Sequence, residues 1–283
     1  MAYSAEEGLC DPFGGQEDLA RGVVRAVGEP LRRFEEDALR ILRLYRFAAR
    51  FGFVIDEATE AAAKQLAAHL DCVSVERIEE ELNKLLSAPK PGAYLEPEVL
   101  AFVLPELPPD DLSEAREILD ALPAGAEEVT TRWAALLLPL GEDGTRKALK
   151  RLKCSNAVID GVSTLVKEKA PRTPALPLQA KRLLGKYDLH TVQQLTALWS
   201  ALQPERKDEF TDLQKEAETL TAQSACCRVS QLAVNGRDLM AAGVAPGPGL
   251  RRVLEALLEE VITGRLPNKK AELLAFAAKF SAS

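Results

Sequence analysis

The chain has 283 residues and a mass of 30.8 kDa, long enough for about two domains with buried cores. Apolar residues make up 47% and charged residues 28%, which excludes a disordered polymer, and no run approaches the roughly 18 to 20 apolar residues of a membrane span. The net charge of −7 argues against a nucleic-acid partner only until it is resolved along the chain.

The first twenty residues carry neither a basic start nor an apolar stretch, so no secretory signal is expected. Residues 1–28 hold the extended pieces MAYS, GLCDP and GVVRAVG around the turn-rich DPFGG. Two or three short strands cannot bury a sheet face by themselves, so this opening reads as the remainder of a sheet completed elsewhere. Beyond it Ala, Leu, Glu, Lys and Arg dominate, and β-type alternation is nearly absent. The pattern predicts helices over 35–51, 56–69, 74–87, 112–122, 128–139, 143–152, 155–168, 178–185, 191–201, 205–223, 236–242, 247–263 and 268–280. Asp56 and Ser74 stand as N-caps, with Arg77 where a glutamate would complete a capping box, and Gly52 ends the 35–51 helix. Pro89, Pro91 and Pro97 close the region after 87. The expected architecture is all-α, an elongated multi-helix array with a few short strands at the N-terminus. It divides at 1–28, 29–88, 89–225 and 226–283, with the Pro-rich KAPRTPALPLQ (169–179) interrupting the third block.

Charge is segregated along this order. Residues 21–53 hold eight arginines against four acids, and residues 226–283 hold eight Lys/Arg against five acids, so the remainder carries −14. Two basic ends around an acidic middle suit a phosphate-bearing ligand that touches both ends, although ordinary solvated faces give the same count. Five scattered cysteines, among them the adjacent Cys226 and Cys227, form no disulfide framework and fit reduced thiols of a cytoplasmic protein. With His69 and His190 the only histidines, neither a zinc site nor a histidine-based triad is expected.

The segment EEDALRILRLYRFAARF (35–51) is the most informative. At about 100° per residue, with Arg40 at 0°, Arg43 falls near ~300°, Arg50 near ~280°, Arg46 near ~240°, Glu36 near ~320° and Asp37 near ~60°. One side therefore displays a carboxylate pair a turn ahead of an arginine ladder, and the other carries Ile41, Leu44, Tyr45 and Ala48. One reading is i,i+3 pairing of Asp37 with Arg40, worth about 0.2–0.5 kcal/mol, with both acids favoured at a helix start. The other is recognition. An aspartate accepts from an exocyclic amine while an arginine fork donates to the adjacent ring nitrogen or carbonyl, which copies a pairing edge and reads cytosine or adenine without a template.

The run DPFGGQEDLARGVVRAVGEPLRRFEEDALRILRLYRFAARFGF (11–53) resembles the segment joining head and neck in class II tRNA nucleotidyltransferases, the bacterial CCA-adding enzymes and their poly(A) polymerase relatives. Asp18 matches the acid after the glycines. Glu36, Asp37 and Arg40 match the family's E-D-x-x-R, whose Asp and Arg read the incoming CTP or ATP, and Arg43, Arg46 and Phe47 match its continuation. SVERIEEEL (74–82) resembles the next neck motif, with Arg77 and Glu81 as neck support. VNGRDLMAAGVAPGPGLRRVLEALLEEVITGRL (234–266) resembles the family's tail. The resemblance makes 1–28 a remnant of the head sheet, 29–88 the neck, 89–225 the body and 226–283 a tRNA-binding tail. It implies CTP and ATP as substrates and the tRNA acceptor end as partner, held by backbone and shape. Arg251, Arg252, Lys269 and Lys270 are the candidates for tail phosphate contacts.

One part of the family pattern has no counterpart. The family's head carries a D-x-D carboxylate pair for two metal ions, and only adjacent acids such as Asp110–Asp111 and Glu6–Glu7 occur here. Mg2+ then belongs to a head not in this chain, no residue is assigned to metal or catalysis, and the chain alone is expected to be silent. It would be a truncated product, or half of a split enzyme whose head is a separate chain. A stand-alone tRNA- or RNA-binding module, a poly(A) polymerase-related fragment and a non-functional fragment are the alternatives. AALLLPLG (134–141) places Leu138 and Pro139 where some relatives carry a His-Asp metal dyad, so phosphohydrolase activity is not expected. Trp133 and Trp199 read as core, Cys226–Cys227 as inert thiols and His69 as a solvated helix end. The GVAPGPGL turn (243–250) reads either as a Pro-fixed turn or as a phosphate-holding helix start.

Overall fold

The computed structural model describes residues 2–6, 8–172 and 176–280. Glu7 of the Glu6–Glu7 pair, Met1 of MAYS and residues 173–175 of the Pro-rich stretch lie outside them. The chain forms two compact units, Met1–Lys169 and Ala170–Ser283.

The first unit opens with β1 (Ala2–Ser4) paired antiparallel to β2 (Gly8–Cys10). Then come α1 (Gly15–Arg21), β3 (Val23–Val24), α2 (Pro30–Glu36), α3 (Leu39–Phe51) and β4 (Val54–Ile55). The remaining helices are α4 (Glu57–Gln65), α5 (Val75–Leu86), α6 (Pro97–Val103), α7 (Leu112–Ala121), α8 (Val129–Leu137), α9 (Gly141–Arg151) and α10 (Asn156–Lys167). The second unit holds α11 (Leu178–Lys186), α12 (Leu189–Leu202), α13 (Lys207–Ala222), α14 (Gly236–Ala241), α15 (Pro248–Ile262) and α16 (Lys270–Phe280). The fold is thus helical with a few short strands near its N-terminus, as expected.

Several boundaries differ from the sequence reading, each for a local reason. The DPFGG stretch leads into a helix, α1, because Asp11 accepts from the amides of Gly15 (2.8 Å) and Gln16 (2.7 Å). β3 does not await a distant partner. It pairs in parallel with β4, anchored by the Val54 amide on the Gly22 carbonyl (2.8 Å) and the Asp56 amide on that of Val24 (3.0 Å). Pro97 opens a helix at its first turn, where its missing N–H costs nothing, instead of closing one. Asp56 caps α4 through the Thr59 amide (3.1 Å), but the helix stops at Gln65 and tightens into a 3-10 turn over Ala67–Cys72. Ser74 precedes α5 without a side-chain cap bond.

The apolar stripe of α3 is buried as its periodicity requires, at Ile41, Leu44, Tyr45 and Ala48, and α3 packs against α5, whose Ile78, Leu82 and Leu85 are buried as well. Gly52 ends α3 at φ 66°, a conformation costly for any residue with a Cβ. Trp133 is buried in α8. In the second unit Trp199 of α12 meets Phe210 of α13 at 5.8 Å between ring centroids. Leu239, Leu257, Leu273 and Ala277 make the core shared by α14, α15 and α16.

Candidate functional site

The predicted 35–51 helix is two helices. Asp37 is extended (φ −156°, ψ 101°) and separates α2 from α3. Its own atoms restart the chain, since its carboxylate accepts from the Leu39 amide (3.2 Å) and its carbonyl from the Arg40 amide (3.0 Å). An aspartate that bonds the backbone two residues on competes with continued helix. The helical angles assigned to Glu36 and Asp37 relative to Arg40 therefore do not apply. Those among Arg40, Arg43, Arg46 and Arg50 do, because all four lie in α3.

The i,i+3 pairing of Asp37 with Arg40 is also replaced. Asp37 Oδ2 accepts from Nη2 of Arg77 on α5 at 3.0 Å. Arg40 Nη1 donates to Glu36 Oε2 (2.6 Å) and to the Arg33 carbonyl (2.8 Å). Glu36 also receives Arg33 Nη1 at 2.6 Å. Burial works against the Asp37 charge, but the Arg77 hydrogen bond, the Leu39 amide and the nearby charges of Arg77 and Arg40 hold its carboxyl below the usual range. The hydrogen bond from Arg40, with the charges of Arg33 and Arg40, does the same for Glu36.

Both members of the expected reader stay within reach of solvent, at 27% side-chain exposure for Asp37 and 32% for Arg40. A carboxylate has about four lone-pair directions and Asp37 commits two. A guanidinium has five N–H donors, and among the described residues the bonds of Arg40 occupy only Nη1, leaving Nε and both Nη2 hydrogens. Arg33, Arg40 and Arg43 line a cavity of about 210 Å³ with Val24, Val27 and Phe47. Arg33, which the sequence reading did not single out, joins it because α2 begins five residues earlier than predicted.

Arg77 and Glu81 act as struts from α5. Glu81 is 3% exposed and lies 2.6 Å from Arg46 Nε, itself only 12% exposed, and 3.4 Å from Arg43 Nε. Arg46 is thus neutralised inside the helix pair rather than displayed beside Arg40. Asp18 is bound by Arg25 Nε at 3.1 Å, and Arg25 Nη1 reaches Asp56 at 2.8 Å. This Asp18–Arg25–Asp56 chain ties α1 to the start of α4. No sequence period links these three residues, so only the parallel strand pair brings them together.

In the second unit Arg251 pairs with Glu255 (2.8 Å) and Lys270 with Asp238 (2.5 Å), while Arg252 and Lys269 are exposed. Cys226 and Cys227 have thiols pushed up by burial, which disfavours the reactive thiolate. Asp110–Asp111 falls in a 3-10 turn. Among the described residues no group of three or more His, Cys, Asp or Glu side chains could hold a metal ion. Among the described residues no helix is long and apolar enough to cross a membrane.

Fold and site together define a helix-built protein with a cationic cleft that Arg40 lines and Asp37 does not, the carboxylate lying partly exposed at the α2–α3 break. Residues 125–277 match the family described as "tRNA nucleotidyltransferase domain 2 putative", and residues 52–108 match "Probable RNA and SrmB- binding site of polymerase A". The CCA-adding enzyme of Limosilactobacillus fermentum is 34% identical over 99% of this chain, which spans 68% of that relative. That of Geobacillus stearothermophilus is 31% identical over 95% of this chain and 66% of the relative. The crystal structure of the Bacillus stearothermophilus CCA-adding enzyme in complex with CTP superposes with a TM-score of 0.81 at 28% identity, covering 99% of this chain and 71% of that one. The Thermotoga maritima CCA-adding enzyme complexed with tRNA shares the fold, with a TM-score of 0.65 at 22% identity over 95% of this chain and 67% of that one. The chain belongs to the class II tRNA nucleotidyltransferases, the family of CCA-adding enzymes and poly(A) polymerases.

Proposed function

We propose that this chain selects the nucleotide and holds the tRNA in the addition of CCA to tRNA 3′ ends from CTP and ATP in the cytoplasm. The observation that carries the reading is the break between α2 and α3. There a carboxylate steadied by Arg77 and a guanidinium steadied by Glu36 each keep hydrogen-bonding capacity uncommitted. Asp37 would accept from the exocyclic amine of cytosine or adenine, and Arg40 would donate to the neighbouring ring atom. Arg43 and Arg33 would carry negative charge in the cleft, and Arg46 would support Arg43 through Glu81. Arg251, Arg252, Lys269 and Lys270 would meet tRNA phosphates, with Lys270 and Arg251 exchanging their present carboxylates for them.

Phosphoryl transfer through two metal ions needs carboxylates that bridge them. We place that step on a catalytic head supplied by further polypeptide, in the same or a separate chain, so the 283 residues alone would bind without incorporating. The experiment mixes the chain with tRNA lacking its 3′ end and labelled CTP and ATP, with and without a separately expressed head. Incorporation only with the head is expected, and no tRNA or nucleotide binding under either condition would refute the reading. The match over residues 52–108 favours poly(A) synthesis as a second reading. Incorporation of ATP without CTP would select it.

A further inference from the structure

A second cleft lies at the C-terminal ends of α3 and α5, apart from the α2–α3 break. Its volume is about 460 Å³, and Arg46, Arg50 and Lys84 line it with Ala88, Pro89 and Val129. The three cations are unequal. Arg46 is held by Glu81 (2.6 Å), and Lys84 is shared with Glu80 (2.6 Å) and Glu81 (3.9 Å). Arg50 is exposed and has no carboxylate partner among the described residues, its guanidinium lying 5.9 Å from the Phe51 ring centroid.

The wall beside these cations is built to stay in place. Buried Arg132 donates through Nη1 to the carbonyls of Leu86 and Ala88, pinning the backbone that carries Ser87 and Pro89. Trp133 Nε1 donates to Asn83 Oδ1 (2.6 Å), and Asn83 Nδ2 donates to Glu79 (2.7 Å), fixing the last turn of α5. A preformed cleft with an uncommitted guanidinium, a shared ammonium and apolar walls matches one phosphate with an adjoining sugar or base face. It does not match a free triphosphate, whose several charges call for more than one uncommitted cation. A polyanion needs only one such site per phosphate, because its affinity is the sum over many.

We propose that this cleft binds a phosphodiester unit of the RNA substrate. Arg50 and Lys84 take the phosphate, and the adjoining nucleotide lies against Ala88, Pro89 and Val129. The inference rests on the RNA-binding reading above and adds to it a contact outside the tail. It is tested by equilibrium binding of tRNA to the full chain across a salt series, with CTP binding measured in parallel. Arg50→Ala and Lys84→Ala should each weaken tRNA binding several-fold and flatten the slope of log affinity against log salt by about 0.7–0.9. Arg50→Lys should keep the wild-type slope, and CTP affinity should not change. Matching melting curves establish that the variants are folded, and Arg50→Glu provides a second surface variant with a larger expected loss. Wild-type tRNA affinity and slope in Arg50→Ala and Lys84→Ala would overturn the inference and leave the proposed function standing. Loss of CTP binding with intact tRNA binding would assign the cleft to free nucleotide and overturn it as well. A wild-type chain that binds no tRNA would sink both.

Discussion

Asp37 performs two tasks with one side chain. It ends one helix and starts the next, and it holds a charged oxygen at the surface between them. Its partner Arg77 lies 40 residues away, and the pair fixes the direction of the carboxylate as well as its charge. Because the folded pKa is depressed, the carboxylate stays ionised through the ordinary carboxylate range and is protonated only below it. The ligand's own titration is shared by all variants, so the Asp37 contribution is the difference in CTP affinity from Asp37→Asn, which should hold steady as pH falls through that range and shrink below it. Arg77→Ala should move that shrinkage to higher pH. Titration calorimetry over a pH series checks this, and an unshifted profile in Arg77→Ala would count against the assignment. In a complex reconstituted with a head, Asp37→Ala and Arg40→Ala should lose the preference for CTP and ATP over UTP and GTP. Retention of that preference in both would remove them from base recognition.

Ion pairs that bridge elements differ from those along one helix. The i,i+4 pair Lys84–Glu80 is exposed, so solvent screens it and it adds little to stability. Glu81 is different, because its buried carboxylate neutralises Arg46 across the α3–α5 contact. Glu81→Gln should cost about 3 kcal/mol by leaving the Arg46 charge uncompensated, and Arg46→Gln in the same chain should restore part of it. Urea unfolding of the two single variants and the double variant measures the coupling. A second bridge joins the segment after α6 to the end of α9. Arg151 donates Nε and Nη2 to the two Glu106 oxygens at 2.7 and 2.8 Å. The Arg151 hydrogen bond, ahead of the opposing burial, holds the Glu106 carboxyl below its usual range. The stability this contributes is complete above the ordinary carboxylate range and disappears as pH falls through the lowered pKa. Glu106→Gln should accordingly lower the urea midpoint at neutral pH and narrow its difference from wild type in acid.

At the scale of the whole chain, the first unit depends on an arginine that makes no ion pair with a carboxylate among the described residues. Arg132 is fully buried and donates to four carbonyls, those of Leu86, Ala88, Leu122 and Pro123. These carbonyls lie just at or beyond the ends of α5 and α7, where helical carbonyls lack intrahelical partners and the helix dipoles favour a cation. Desolvation lowers its pKa against the nearby charges of Asp120 and Glu128, and the four carbonyls supply its hydrogen-bond acceptors. Arg132→Met should destabilise the chain by about 2–4 kcal/mol, since it strands several buried acceptors at once. Arg132→Lys should recover little, because three donors on one nitrogen cannot reach four carbonyls in a plane. Thermal and urea melts of both variants decide the point.

Local information in the sequence determined the helical class, the buried stripe of α3, its glycine stop at Gly52, the aspartate cap of α4 and the motifs that place the chain in its family. These depend on neighbours within about one helical turn, and the residues that encode them are adjacent in the chain. Only the tertiary structure decided that Asp37 faces Arg77, that Glu81 consumes Arg46, that β3 finds its partner after α3, and that Arg132 gathers the ends of two helices. Each of these joins residues more than 30 positions apart, except for the Arg132 bonds to Leu122 and Pro123, which span 10 and 9. A helical wheel ranks the directions of side chains on one continuous helix, but it contains no term for a carboxylate that leaves the helix to accept an amide and a distant guanidinium.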